Sequence, residues 1–132
     1  MVVSMEADRE LRLTDCEAHG LLDALEAETR SRVEADAAVG QFGPVPVLVH
    51  LGASADRHAG ILTELLDRGG SDAPLVQSVA GSHDNLAAAL GAAFDRETRK
   101  AQLYDRLLDG CANPELRQVL FSLWQSAASR HR

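Results

Sequence analysis

The sequence predicts an all-α fold, a bundle of four main helices arranged as two hairpins. Three observations predict it. Four segments carry apolar residues at three-to-four-residue spacing. Glycine and proline cluster between those segments. Strand signals are nearly absent, since only Val45 to Val49 is β-prone.

Residues 1–13 read as a lead-in to a domain spanning residues 14–132. Thr14-Asp15-Cys16-Glu17 has the form of a capping box: the threonine accepts from the third helical amide and the glutamate reaches back. The first helix is expected from about Asp15 to about Gly40, with Leu21, Leu22, Leu25 and Val39 as its stripe. Gly40, Gly43, Pro44 and Pro46 stop it. The second runs from about Val47 to Arg68, with Leu48, Leu51, Ile61, Leu62 and Leu65 inward, and ends at Gly69-Gly70. Residues 69–82 form a connection containing Pro74, with a short turn around Val76. Ser82 is positioned to cap the third helix, which puts His83 in its first turn, exposed. That helix extends to about Gly110, with Leu86, Leu90, Phe94, Tyr104, Leu107 and Leu108 as its stripe. Asn113-Pro114 has the cap-then-proline order of a helix start, and the fourth helix, carrying Leu116, Val119, Leu120, Leu123 and Ala127, runs on to the chain end.

At 132 residues the chain forms one domain with one continuous core. Its net charge of −7 argues against nucleic acid and against an anionic membrane surface. No apolar run approaches the roughly 20 residues of a spanning helix, and Met1 to Glu10 shows no signal-peptide core. Two cysteines, Cys16 and Cys111, make no disulfide framework, so a reduced, cytoplasmic setting is expected. Twelve arginines accompany one lysine, Lys100.

Four polar residues fall where the helical period assigns core: Glu28, His58, Glu97 and His131. Isolated charges there are costly, so they must pair with one another, with a basic side chain, or with a metal. Their order is doubled. Glu28-Thr29-Arg30 and Glu97-Thr98-Arg99 repeat one tripeptide, each with an Asp eight residues beyond the Glu (Asp36, Asp105), then a proline turn (Pro44, Pro114), then a histidine. Glu28 lies 12 residues before the end of its helix and His58 lies 11 after the start of the next, so the two face each other across a hairpin. In the second copy the levels of Glu97 and His131 differ by three residues, about 4.5 Å along a helix. Glutamate and histidine projecting inward from paired helices, stated twice, is the plan of a metal site in a helical bundle.

Bland alternatives stand beside that reading. Arg32 and Arg57 are candidate ion-pair partners for Glu28, and Lys100 is one for Glu97. Tyr104 is explained by core packing with a buried hydroxyl bond. Asp36 and Asp105 suit a solvated face, and His19 and His50 suit the surface.

The chain resembles the ferritin-like superfamily, and is similar to a family of bacterial ferritin-like domains of unknown function. The resemblance covers roughly residues 14–132 and rests on Glu26-Ala27-Glu28, Phe42-Gly43, Gly52-Ala53-Ser54-Ala55-Asp56-Arg57-His58, Leu65-Leu66-Asp67-Arg68-Gly69-Gly70, Ala89-Leu90-Gly91 and Ser129-Arg130-His131. It implies a bundle whose middle connection crosses over; fourteen extended residues reach about 45 Å, enough for the length of such a bundle. It also implies a di-iron site built from two glutamates and two Glu-x-x-His pairs. The chain departs from that pattern at the same place in both halves: Ala55 and Ala128 stand three residues before His58 and His131. The third-helix ligand is either Asp95 or Glu97. The ligand set that remains (Glu28, His58, Asp95 or Glu97, and His131) suits at most one metal, iron or zinc. Iron oxidation by dioxygen or peroxide is the chemistry the resemblance implies for an active site of this kind. The competing expectation is a non-enzymatic ferritin-like scaffold whose former site is an Arg–Glu–His network, acting through a homodimer or another protein partner. A third reading, a hydrolase or transferase using one metal and His50, has only that histidine behind it.

Overall fold

The structure is a computed structural model that describes residues 11–71 and 77–129. Four helices account for most of them: α1 (Asp15–Phe42), α2 (Pro46–Arg68), α3 (Leu86–Asp109) and α4 (Pro114–Ala128). There is no strand among the described residues. None of their helices is long and apolar enough to cross a membrane.

The local chemistry sets the helix ends. Thr14 and Glu17 close the expected capping box, with Glu17 N donating to Thr14 Oγ1 at 3.0 Å and Thr14 N donating to Glu17 Oε1 at 2.9 Å. α1 runs two residues past Gly40 and stops at Gly43, whose φ of +92° is open to glycine and strained for other residues. α2 starts on Pro46, which lacks the amide hydrogen that a first helical turn leaves unpaired. Asn113 caps α4 by accepting from Leu116 N at 3.1 Å. The start of α3 corrects the sequence reading. Its cap is Asn85, whose Oδ1 accepts from Ala88 N at 2.8 Å, and not Ser82. His83 therefore precedes the helix and is half-buried: its backbone exchanges bonds with the Gln41 side chain, and its Nε2 stands 4.0 Å from Glu34. Phe94 is a second correction. The buried line of α3 runs through Ala89, Ala93, Glu97, Lys100 and Tyr104, which leaves Phe94 38% exposed. The turn expected around Val76, and the expected continuation of the fourth helix over residues 130–132, lie outside the described residues.

α1 packs most extensively on α2, α3 on α4, and the two pairs meet along α1 and α3. Contacts give the directions. Leu11 N donates to Arg68 O, His58 faces Glu28, and Gly52 packs on Ala35 and Asp36, so α1 and α2 are antiparallel. Gly20 lies against Leu107, Glu28 against Lys100 and Tyr104, Glu34 against Arg96, and Gln41 against His83, so α1 and α3 are antiparallel too. Arg68 at the end of α2 grips Glu115 at the start of α4 through two bonds of 2.7 and 3.1 Å.

The apolar interior falls into two clusters. One gathers Leu21, Leu25, Leu62, Leu66, Leu116, Leu120 and Leu123; the other gathers Ala38, Leu48, Leu51, Ala89 and Ala93. On each of α1, α2 and α3 the polar residues Glu28, His58, Glu97 and Lys100 fall between the positions that feed these clusters. A polar layer thus crosses the bundle at mid-height.

The capping assignment is directly testable. Asn85→Ala is expected to cost about 1 kcal/mol in urea unfolding, because it orphans a helix amide. Ser82→Ala is expected to stay within about 0.5 kcal/mol of the unmodified protein.

Candidate functional site

The polar layer is built on Glu28, which is 0% exposed at the middle of α1. Both carboxylate oxygens are occupied. Oε1 accepts from Lys100 Nζ at 2.9 Å. Oε2 accepts from the Tyr104 hydroxyl and lies 3.4 Å from His58 Nδ1. Lys100 Nζ also meets Glu97 Oε2 at 2.5 Å, three residues back on the same helix. One ammonium, 4% exposed, therefore lies between two carboxylates from facing helices.

The helical period explains the convergence. Glu97, Lys100 and Tyr104 are spaced three and four apart, which puts them on one face of α3, aimed at α1. His58 reaches the same carboxylate from α2 because the α1–α2 hairpin holds it level with Glu28. Burial alone would push the Glu28 carboxyl up; the His58 ring, the Lys100 ammonium and the Tyr104 hydroxyl outweigh it and hold Glu28 below its ordinary value. Burial, and then the Glu28 charge, push the Tyr104 phenol well above its ordinary range, so its proton stays on as the donor to Glu28.

Glu28, His58 and Glu97 are brought together, as their positions in the sequence required. Asp95 is not: it is exposed, and Glu97 is the inward acid of α3. His131 lies outside the described residues. The ion-pair partners considered for Glu28 also need correcting. Arg32 pairs with Asp36 and Asp56, Arg57 is exposed, and the basic partner is Lys100. The expected Arg–Glu–His network is a lysine network. Tyr104 makes the buried hydroxyl bond expected of it, and Asp36, Asp105, His19 and His50 are exposed.

Lys100 as the common partner of both acids was missed, although a signal for it existed. It is the one lysine among twelve arginines. A compact ammonium with three donors can bridge two carboxylates in a space that a planar guanidinium would overfill. The doubled tripeptide sharpens the point. The copies are offset by 97 − 28 = 69 residues, which aligns Lys100 with Ser31 and Tyr104 with Ala35. One copy supplies the cation and the phenol, and the other carries small residues at the equivalent sequence positions.

The donor set does not fit a ferritin-like metal centre. Ala55, three residues before His58, is buried and offers no donor atom. The two buried acids already share an ammonium. Among the described residues no three His, Cys, Asp or Glu side chains form a group able to hold a metal ion. Comparison with known proteins adds no assignment: no family model, curated protein or solved structure matches the chain.

Glu28→Gln leaves Lys100 paired with Glu97 alone and removes the charged acceptor of Lys100 and Tyr104. It is expected to cost about 1.5–3 kcal/mol at neutral pH, and Tyr104→Phe about 1–2 kcal/mol. Asp95→Asn should be near neutral. The pH dependence has a definite sign. Glu28 has a depressed folded pKa, so its contribution is present above the unfolded carboxyl value, about 4.3, and is lost as pH falls through the folded value. Urea unfolding as a function of pH should show the cost of Glu28→Gln shrinking as pH drops below about 4.

Proposed function

We propose that this chain is a ferritin-like four-helix bundle that works without a metal, as a non-enzymatic scaffold in which Lys100 takes the place of the cation. The observation that carries the reading is Lys100 Nζ between Glu28 Oε1 and Glu97 Oε2, at 2.9 and 2.5 Å. A divalent ion held by those acids and His58 would have to expel the ammonium or strip its proton. The direction of the helices supports the ferritin-like topology. α2 ends beside the start of α1, where Leu11 N meets Arg68 O, and α3 begins beside the end of α1, where Gln41 meets His83. Helix ends so placed support a connection that returns along the bundle, the crossover that the resemblance implies. Ala55 supports the loss of the second carboxylate pair. The outer face of α4 supports action through a second copy or another protein, since Phe121 is 48% exposed there and stacks on Trp124 with ring centres 5.7 Å apart.

The test is melting temperature with Fe²⁺ or Zn²⁺, in the unmodified protein and in Lys100→Met. The unmodified protein is expected to show no metal-dependent shift. Lys100→Met removes the internal cation and leaves two uncompensated carboxylates beside His58. It should melt lower, and metal at about 100 times its Kd should restore about 2.7 kcal/mol. A rise with metal concentration in the unmodified protein would overturn the metal-free reading and favour a mononuclear iron or zinc site.

A further inference from the structure

The glutamates of the doubled tripeptide point into the polar layer; its arginines do not. Arg30 of α1 and Arg99 of α3 both open into one groove of about 320 Å³ along the α1–α3 seam. Arg96 and Arg106 line it as well, and Leu103 gives it an apolar patch between Arg99 and Arg106. Positions 96, 99, 103 and 106 recur every three to four residues, so one face of α3 presents three guanidinium groups over about 15 Å. In a chain of net charge −7 this is a concentration of positive charge against the general field.

Some of that charge is already compensated. Arg30 pairs with Glu26 at 3.2 Å, both well exposed, a contact of small energy. Arg96 lies 3.7 Å from Glu34. Lys100, at the floor, is committed to Glu28 and Glu97. Asp23 lines the rim. Arg99 and Arg106 have no ion pair among the described residues. Burial lowers the Arg96 pKa first, Glu34 and Glu97 oppose that, and the charge of Arg99 adds to it, so the two guanidiniums repel each other. The groove wall also holds Ser31. Its residue is 5% exposed, and its Oγ is the buried side-chain polar atom without a hydrogen-bond partner among the described residues. Buried hydroxyls are normally satisfied.

We propose that the α1–α3 groove binds a small phosphorylated molecule carrying at least two negative charges. Guanidinium forks match phosphate oxygens two at a time. Arg99 and Arg106 supply two such forks, Arg96 and Arg30 the surrounding charge, Ser31 a hydroxyl donor, and Leu103 a surface for the non-phosphate body of the ligand. The volume is that of a small-ligand site.

Pyrophosphate is the probe, titrated into the full chain by calorimetry at constant ionic strength, with succinate as the carboxylate comparison. Saturable pyrophosphate binding is expected, with succinate at least tenfold weaker. Arg99→Gln and Arg106→Gln should each weaken pyrophosphate by about tenfold. Arg57→Gln, an equal charge change on α2 outside the groove, should leave it unaltered. Arg99 and Arg106 are exposed, so circular dichroism should show the variants folded. No saturable binding, equal weakening by Arg57→Gln, or succinate binding as tightly as pyrophosphate would each overturn the assignment. Neither Arg99 nor Arg106 is ion-paired with Glu28 or Glu97, so anion binding and the metal-free network stand or fall separately.

Discussion

A single ammonium between two buried carboxylates is the interaction on which the rest of this bundle depends. Three charged groups in an interior carry a large desolvation cost, and only close mutual contact offsets it. That requirement fixes the level at which α1 and α3 meet, because Glu28 must stand opposite Lys100 and Tyr104. It also divides the apolar interior into a cluster above and a cluster below. Two apolar clusters alone would tolerate a sliding register, whereas a polar layer with matched donors and acceptors does not. Each group has a reason to be the type it is. Glu28 accepts from Lys100 and Tyr104, Tyr104 keeps its proton because burial raises its pKa, and His58 closes the layer from α2, 3.4 Å from the same carboxylate.

The α1–α3 seam carries two kinds of chemistry on its two sides. In each copy of Glu-Thr-Arg the glutamate and the arginine are two residues apart, which places them on different faces of the helix. The glutamates turn inward to Lys100 and the arginines turn outward to the groove. One short motif, used on two antiparallel helices, therefore produces an interior ion-pair network and a positive surface beside it.

Much of the helical architecture was legible in the sequence, because periodicity and caps act over a few residues. The Thr14–Glu17 box and the Asn113-Pro114 start formed as their side-chain chemistry dictates. The choice between Ser82 and Asn85 was not legible, since both are good caps and the His83–Gln41 and Gly81–Glu34 contacts hold residues 81–83 against α1 outside the helix. Glu28, His58 and Glu97 were legible as inward polar residues because they interrupt apolar stripes. Their partner was not, because Lys100 reads as a solvated i+3 neighbour of Glu97 until α1 is placed against α3. Asp95 and Glu97 differ by two positions, and only the packed face of α3 separates them. Pairing across helices depends on register, which periodicity along one helix does not encode.

The central claim is that the buried cation belongs to the protein itself. Elemental analysis of protein purified after growth with added iron or added zinc tests it most directly. A lysine-bridged network predicts far less than one equivalent of either metal per chain after gel filtration. Retention of about one equivalent per chain, lost on substitution of Glu28 or Glu97, would contradict it.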